Sequence, residues 1–253
     1  MTTATLRIER RPDAAVDPGV WPDSVPAVAH VLEHGLDLPV GVTFLVGENG
    51  SGKSTLVEAV ADTIGIPADG GSTHHLGGAE RDPGGDRSDL GRRLRAVRQA
   101  GYIGRTGFFL RAETMHRFVT YLAEAGSTGD GPPPTHHLHR VSHGESFVEM
   151  LTGRWVDSAD VVLLDEPESA LSFTTALALT DVLAQLASAG RHVLCATHSP
   201  LLTALPGARI LQLDDGGLTP VRWEDLAIVA HWRAFLDAPQ RYLRHLLDIP
   251  SPS

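Results

Sequence analysis

The sequence is short of several residue types, and each shortage excludes something. Its 253 residues contain one cysteine, Cys195, which rules out an internal disulfide framework and a zinc site built on thiolates. No apolar run approaches the ~18 residues of a membrane span, and the first residues lack the apolar core of a signal peptide. The chain therefore reads as a cytoplasmic, globular protein with no membrane insertion. Lysine is rarer than any other charged residue: of 21 basic side chains, 20 are Arg and one is Lys, at position 53. Where guanidinium supplies every other positive charge, a lone ammonium marks a place that guanidinium does not suit. Acids outnumber bases 31 to 21, and the net charge of −10 argues against broad, non-specific nucleic-acid binding. With 42% hydrophobic and 21% charged residues, the chain is too apolar to be disordered as a whole. Its length suffices for a sizeable core in one large domain or two small ones.

The order of elements predicts an α/β fold with a mostly parallel sheet. Residues 42–46 read as a buried strand and 53–64 as a helix, with a glycine-rich turn between them. The stretch 66–90, rich in Gly, Asp and Pro, reads as a long loop. Residues 90–99 and 112–125 read as helices, with Phe108–Leu110 as an apolar connector. A second loop, 126–137, contains Gly-Asp-Gly-Pro-Pro-Pro and precedes a short helix at 144–152. The run Val161–Leu164 is a buried parallel strand. A helix at 173–189 with Leu179, Val182, Leu183 and Leu186 on one face follows. Strands at 192–196 and 209–213, a turn near 200–204 and a β segment near 218–223 come next. Two helices broken near Pro239 end the chain, followed by a Pro- and Ser-rich tail.

Between the first strand and helix lies Gly47-Glu48-Asn49-Gly50-Ser51-Gly52-Lys53-Ser54, which fits the phosphate-loop pattern G-x-x-x-x-G-K-[ST] in the strand–turn–helix context it requires. Glycines let successive backbone N–H groups turn inward toward phosphate oxygens, and the helix start adds its positive dipole end. Lys53 is placed to reach the β- and γ-phosphates, and the Ser54 hydroxyl to hold Mg²⁺. The run Val161–Leu164 ends in Asp165-Glu166, two adjacent acids at a strand's C-terminal end, where ligands meet an open α/β sheet. Asp165 is expected to hold the Mg²⁺ as well, through a water, and Glu166 to polarise an attacking water. His198, after another apolar strand, is placed to reach the γ-phosphate or that water. Ser142-His143-Gly144-Glu145 carries a capping-box pattern, and such a helix start can also receive an anion from outside the subunit.

Taken together, Gly47–Thr55, Ser142–Glu145, Asp165–Glu166, Ser169–Ser172 and His198 resemble, in order, the Walker A, signature, Walker B, D-loop and switch-histidine motifs of ABC-type ATPases. The phrases VTFLVGENGSGKST, GFFLRAE, SHGESF, LLDEPESALS and ATHSPLL, with FLDAPQRYLRHLL near the end, resemble a group of small stand-alone bacterial ATPases loosely gathered with the AAA family. The resemblance covers residues 5–247. It implies an ATP-sandwich homodimer in which Ser142 and Gly144 of each subunit meet the γ-phosphate held by the other's P-loop. It also implies a nucleotide-binding core of residues 1–65 and 156–253, with 66–155 as an inserted helical subdomain carrying the signature. Three departures from the ABC pattern stand out. The signature is Ser-His-Gly-Glu rather than Leu-Ser-Gly-Gly-Gln. The D-loop ends in Ser172 where many relatives have Asp. Arg111 or Glu113 stands near the place of the missing Q-loop glutamine. Trp21, 26 residues before Gly47, reads as a packed side chain among prolines, and the resemblance offers adenine stacking as the other reading.

The expected reaction is hydrolysis of ATP to ADP and phosphate. Rival readings are the ATP-binding subunit of a membrane transporter, a DNA-associated ATPase, and a regulatory switch with little turnover. Residues 81–117 hold nine Arg and four acids. Arg92, Arg93, Arg95 and Arg98 fall on one expected helix. A solvated, salt-bridged face is the plain reading of this patch, and an acidic partner or nucleic acid the alternative. The histidines at 74–75 and 136–139 read as incidental, and Cys195 as packing.

Overall fold

The computed structural model describes residues 5–66, 71–72, 88–98, 106–111, 156 and 159–247. Its centre is a seven-stranded sheet in the order β10-β9-β3-β8-β7-β6-β4. The strands are β3 (Gly41–Gly47), β4 (Gly71–Ser72), β6 (Gly107–Arg111), β7 (Val161–Asp165), β8 (His192–Thr197), β9 (Arg209–Asp214) and β10 (Gly217–Val221). The five from β9 to β6 are parallel, and antiparallel β10 and β4 close the two edges. A second, antiparallel sheet is formed by β1 (Thr5–Arg10), β2 (Leu36–Pro39) and β5 (Leu94–Arg98), in the order β2-β1-β5. The expected α/β class with a mostly parallel sheet is the observed one.

The central strands are nearly uninterrupted runs of apolar residues because both faces of the sheet are covered. Alternate residues serve alternate faces. Leu45, Leu163, Leu194 and Phe109 point into one core with Leu56, Val57 and Val60 of α2 (Lys53–Ile64) and Val28, Val31 and Leu32 of α1 (Pro26–His34). Phe44, Leu164, Cys195 and Phe108 point into the other, against Leu179, Val182 and Leu183 of the 16-residue helix Phe173–Ser188, here α4. Ser172 starts α4 as its N-cap: the hydroxyl accepts from Thr175 N at 3.2 Å and lies 2.7 Å from Thr175 Oγ1. Ser172, one of the departures from the resemblance, is therefore accounted for by a helix cap. The last described elements are α5 (Ala227–Asp237) and α6 (Pro239–Leu247), broken at Ala238 next to the expected Pro239.

Three expectations are corrected. Phe108–Leu110 is no connector but part of β6, with all three side chains at most 2% exposed. The expected helix at 90–99 is one short turn, α3 (Asp89–Arg93), followed at once by β5. Leu90 and Leu94 lie four apart and imitate a helical stripe, but Leu94 and Ala96 alternate with Arg95 and pair with Arg10 and Ile8 of β1. The loop expected at 66–90 contains β4, which pairs with Phe108 and Phe109, and the start of α3. Within 66–155 the described residues thus include strands of both sheets. The helices expected at 112–125 and 144–152 and the loop at 126–137 lie outside the described residues.

The Arg patch is engaged in ion pairs wherever those pairs are described. Arg93 donates twice to the carboxylate of Asp23, at 2.7 and 2.6 Å, and Asp23 also accepts from Asp17 N at 2.8 Å. Arg95 meets Glu9 at 2.6 Å, and Arg111 meets Glu58 at 2.7 Å. The Arg93 hydrogen bonds hold the Asp23 carboxyl below the ordinary aspartate value, against the opposing effect of burial. Because the folded state binds this proton more weakly, the pair contributes stability above the ordinary value of 3.8 and loses it as the pH falls through the depressed one. Asp23→Ala is expected to cost ~2–3 kcal/mol in urea titrations at neutral pH. Its deficit relative to wild type should narrow on acidification.

Candidate functional site

The site lies at the C-terminal ends of the parallel strands, where β3, β8, β7 and β6 stand side by side. Pairing sets Val46 against Thr197, Ala196 against Asp165, and Asp165 against Arg111. Residues spread over more than a hundred positions of sequence thus end on one rim.

The loop after β3 is shaped by its glycines. Gly52 has φ +95 and lies so close to the segment before α1 that a Cβ would meet Val25 Cγ1 at 2.8 Å. At Gly47 a Cβ would meet Ser51 Oγ at 2.7 Å and the Leu213 carbonyl at 2.8 Å. No side chain caps α2, and its first turn carries no acid. Its leading N–H groups and dipole are therefore left for an anion. Lys53 is only 4% exposed, and its Nζ donates to the Gly47 and Glu48 carbonyls at 2.9 and 3.0 Å. Burial lowers its pKa, while Glu166, Asp165 and Glu168 act to raise it. The ammonium is thus held by two neutral carbonyls of its own loop. A cavity of about 560 Å³ opens beside the loop, lined by Asn49, Gly50, Ser51, His198, Asp214 and His231.

Asp165 ends β7 with 5% exposure. The Ser54 hydroxyl donates to its Oδ1 at 3.0 Å, and Arg111 Nε lies 3.4 Å from its Oδ2 without hydrogen-bond alignment. Burial pushes the carboxyl up to about 6; Arg111 and the Ser54 hydrogen bond oppose this, while Glu166 and Glu58 add to it. Arg111 occupies the end of β6, where the Q-loop residue was sought, and it bridges Asp165 to Glu58 of α2.

Glu166 follows in the left-handed region, φ 49 and ψ 49, and is the one non-glycine residue with positive φ among the described residues. Its N–H is fixed to the Ala196 carbonyl at 2.9 Å. Such a conformation in a non-glycine residue clusters at functional sites. The Glu166 Oε1 lies 3.2 Å from His198 Nε2, close but not aligned as a hydrogen bond. Glu168, which sequence reasoning passed over, accepts from the Thr197 hydroxyl at 2.6 Å and from His198 N at 2.7 Å. It is the third acid of Asp-Glu-Pro-Glu, three residues past the strand end, and nothing in the local pattern singles it out.

The structure brings Gly47 through Thr55, Asp165, Glu166 and His198 onto one rim. Ser142, Gly144 and Glu113 lie outside the described residues, as do Arg81, Arg87, Arg105, Arg117 and the histidines at 74–75 and 136–139. Cys195 is fully buried, as expected for packing. Trp21 is not packed: it is 69% exposed, four residues ahead of the Val25 that abuts Gly52. Among the described residues no helix is long and apolar enough to cross a membrane.

Comparison with known proteins agrees with this geometry. A family model described as ABC transporter matches residues 37–169. A second, an AAA-domain model whose description refers to the AbiEii toxin of a type IV TA system, matches residues 138–204. The chain is 26% identical over 218 residues to the ABC transporter CDR4 of Candida albicans, covering 75% of this chain and 14% of that protein. It is 24% identical over 187 residues to ABC transporter G family member 1 of Dictyostelium discoideum, covering 62% and 21%. It thus spans only a small part of these curated relatives. It is 28% identical over 196 residues to the cytochrome c biogenesis ATP-binding export protein CcmA of Rhodospirillum rubrum, covering 73% of this chain and 78% of that one. A solved structure described as a metal-chelate type ABC transporter in an inward-facing conformation superposes with a TM-score of 0.53 at 16% identity, covering 93% and 90%.

A buried carboxyl whose pKa rises on folding favours the folded state in its protonated form. Asp165 therefore costs stability as the pH climbs from the ordinary 3.8 through about 6. Asp165→Asn is expected to stabilise the nucleotide-free protein at pH 7.5 by on the order of 2 kcal/mol. Thermal melts between pH 7.5 and 5 should show the gain shrinking toward acid.

Proposed function

Because the chain belongs to the ABC transporter family and carries that family's ATPase core, we propose that it hydrolyses ATP to ADP and phosphate in a nucleotide-closed, head-to-tail homodimer. One observation carries this reading. The uncapped start of α2, with Lys53 held in reserve, faces Ser54–Asp165 and Glu166–His198 across neighbouring strand ends. In this reading the amides of Gly47–Thr55 hold the β- and γ-phosphates, and Lys53 Nζ exchanges its two carbonyl acceptors for phosphate oxygens. Glu166 accepts the proton of the attacking water, with its side chain already on the rim. His198 orients that water and the γ-phosphate. Ser142 and Gly144 of the second copy complete the far side of the γ-phosphate.

ATPases of this family normally work with ATP and Mg²⁺, and the residues present fit that ion. Ser54 and Asp165 offer two hard oxygen donors 3.0 Å apart, and burial alone leaves the Asp165 charge under-compensated. Among the described residues no cluster of three or more His, Cys, Asp or Glu forms a metal cage. An ion that takes its remaining ligands from phosphate and water suits such a pair. Bound there, Mg²⁺ would offset charge on the phosphates.

Exposed Trp21, close in sequence to the segment packed on Gly52, supports adenine stacking. A second reading, the ATP-binding subunit of a transporter, is supported by the similarity to CcmA along most of both chains. The described Arg93, Arg95 and Arg111 are engaged with acids of the same chain, which disfavours a phosphate-tracking nucleic-acid surface.

Turnover per molecule should rise with protein concentration. Glu166→Gln should lower it by a factor of ~100 or more and elute as a dimer when ATP is present. Wild-type protein that binds ATP yet stays monomeric and turns over no faster than Glu166→Gln would sink the homodimer reading and bring the transporter subunit forward. Trp21→Ala is expected to weaken ATP binding by about tenfold, with Trp21→Phe close to wild type. Equal affinity in all three would exclude the stacking role.

A further inference from the structure

The geometry points to Glu168 as the positioning residue that sets His198 against Glu166, an inference that rests on the proposed roles of those two groups. Glu168 sits on the short turn Pro167–Ala170, directly after the strand that delivers Asp165. It touches neither the phosphate loop nor the Ser54–Asp165 pair in any hydrogen bond described. What it holds is the exit of the neighbouring strand. β8 ends at Thr197, so the N–H groups of His198 and Ser199 leave the sheet without a ladder partner. Glu168 Oε1 takes the first at 2.7 Å and the Thr197 hydroxyl at 2.6 Å, and that hydroxyl in turn accepts from Ser199 N at 2.9 Å. One carboxylate oxygen thereby organises three consecutive residues around the imidazole.

A second tie runs parallel to it. Glu166 N donates to the Ala196 carbonyl at 2.9 Å. The ends of β7 and β8 are therefore fastened twice, by a backbone bond at Glu166 and by a side-chain clamp at Glu168. Glu166 and His198, whose side chains lie 3.2 Å apart, are each held by one of these ties at the backbone N–H. Since Glu166 is itself held at φ 49, neither partner can adjust by relaxing its backbone without breaking a tie.

A neutral acceptor would close the same turn at less desolvation cost. The chain instead places a carboxylate here whose second oxygen, Oε2, is buried and accepts no hydrogen bond among the described residues. Charge-assisted bonds are shorter and about twice as strong as neutral ones, and both bonds to Oε1 are short. Stiffness in His198 is what that arrangement gains.

The test compares Glu168→Ala, Glu168→Gln and Thr197→Val. Glu168→Ala should lower kcat by about 10- to 100-fold while leaving the Kd for ATP within about twofold of wild type. In nucleotide-free protein, the assigned His198 ring resonance should move toward its position in Glu166→Gln. Glu168→Gln keeps an acceptor oxygen and should stay within about threefold of wild type in kcat. If Glu168→Ala does not fold, Thr197→Val removes one of the two bonds and should shift the same resonance in the same direction by less. An unmoved His198 resonance, with melting temperature alone reduced, would overturn the proposal and leave Glu168 as a brace of the turn. A wild type without ATPase activity would defeat the functional reading separately, because the resonance decides the positioning role in either case.

Discussion

The parallel pairing of β3, β8, β7 and β6 is the constraint on which everything else depends. Neighbouring strands lie ~4.8 Å apart, so residues that end them in register share a rim whatever their distance in sequence. Val46 beside Thr197, Ala196 beside Asp165 and Asp165 beside Arg111 follow from that pairing alone. A slip of one residue in β7 would exchange its two faces, sending Val162 and Leu164 toward the core that now holds Val161 and Leu163. Two packed cores, one on each face, make such a slip expensive. The precision of the rim is thus a product of hydrophobic packing far beneath it.

Charge at the rim is only partly balanced, with more acids than cations. Three carboxylates, Asp165, Glu166 and Glu168, act on one buried ammonium. Arg111 adds a second cation on the Asp165 side and is itself shared with Glu58. Three rim groups each contact a partner within the chain: Lys53 two carbonyls, Asp165 a hydroxyl and a guanidinium, and His198 the Glu166 carboxyl. The arrangement is thus already formed within the chain itself.

Much of this was legible in the sequence, and the limits are instructive. Strand 42–46 and helix 53–64 were readable because an apolar run, a glycine loop and a helical period follow one another; the structure extends the strand by one residue at each end. Val161–Leu164 and 192–196 were readable as continuous apolar runs between polar breaks. The same signature at Phe108–Leu110 was too short to separate a strand from a connector. β5 was misread because Leu90 and Leu94 share a helical spacing while the strand's own alternation spans only five residues. Strands β1 and β2 of the antiparallel sheet and α1 were not predicted, although Leu6 and Ile8 alternate with half-buried neighbours in β1. The site residues of the rim were named from their motifs. Trp21 beside its prolines reads as packed in the sequence, whereas its side chain is exposed. Glu168 was missed because its partners are a hydroxyl and a backbone N–H some thirty positions away, which no local pattern announces.

The single lysine has a consequence for the chemistry the protein undergoes after synthesis. Lys53 is 4% exposed and its ammonium is hydrogen-bonded inside the loop it belongs to. Acylation, carbamylation and conjugation to a modifier protein all need a side-chain amine that is accessible and uncharged. In this chain the only lysine such a reagent could find is the one that the phosphate loop covers. The folded surface is therefore closed to lysine-directed modification until that loop opens.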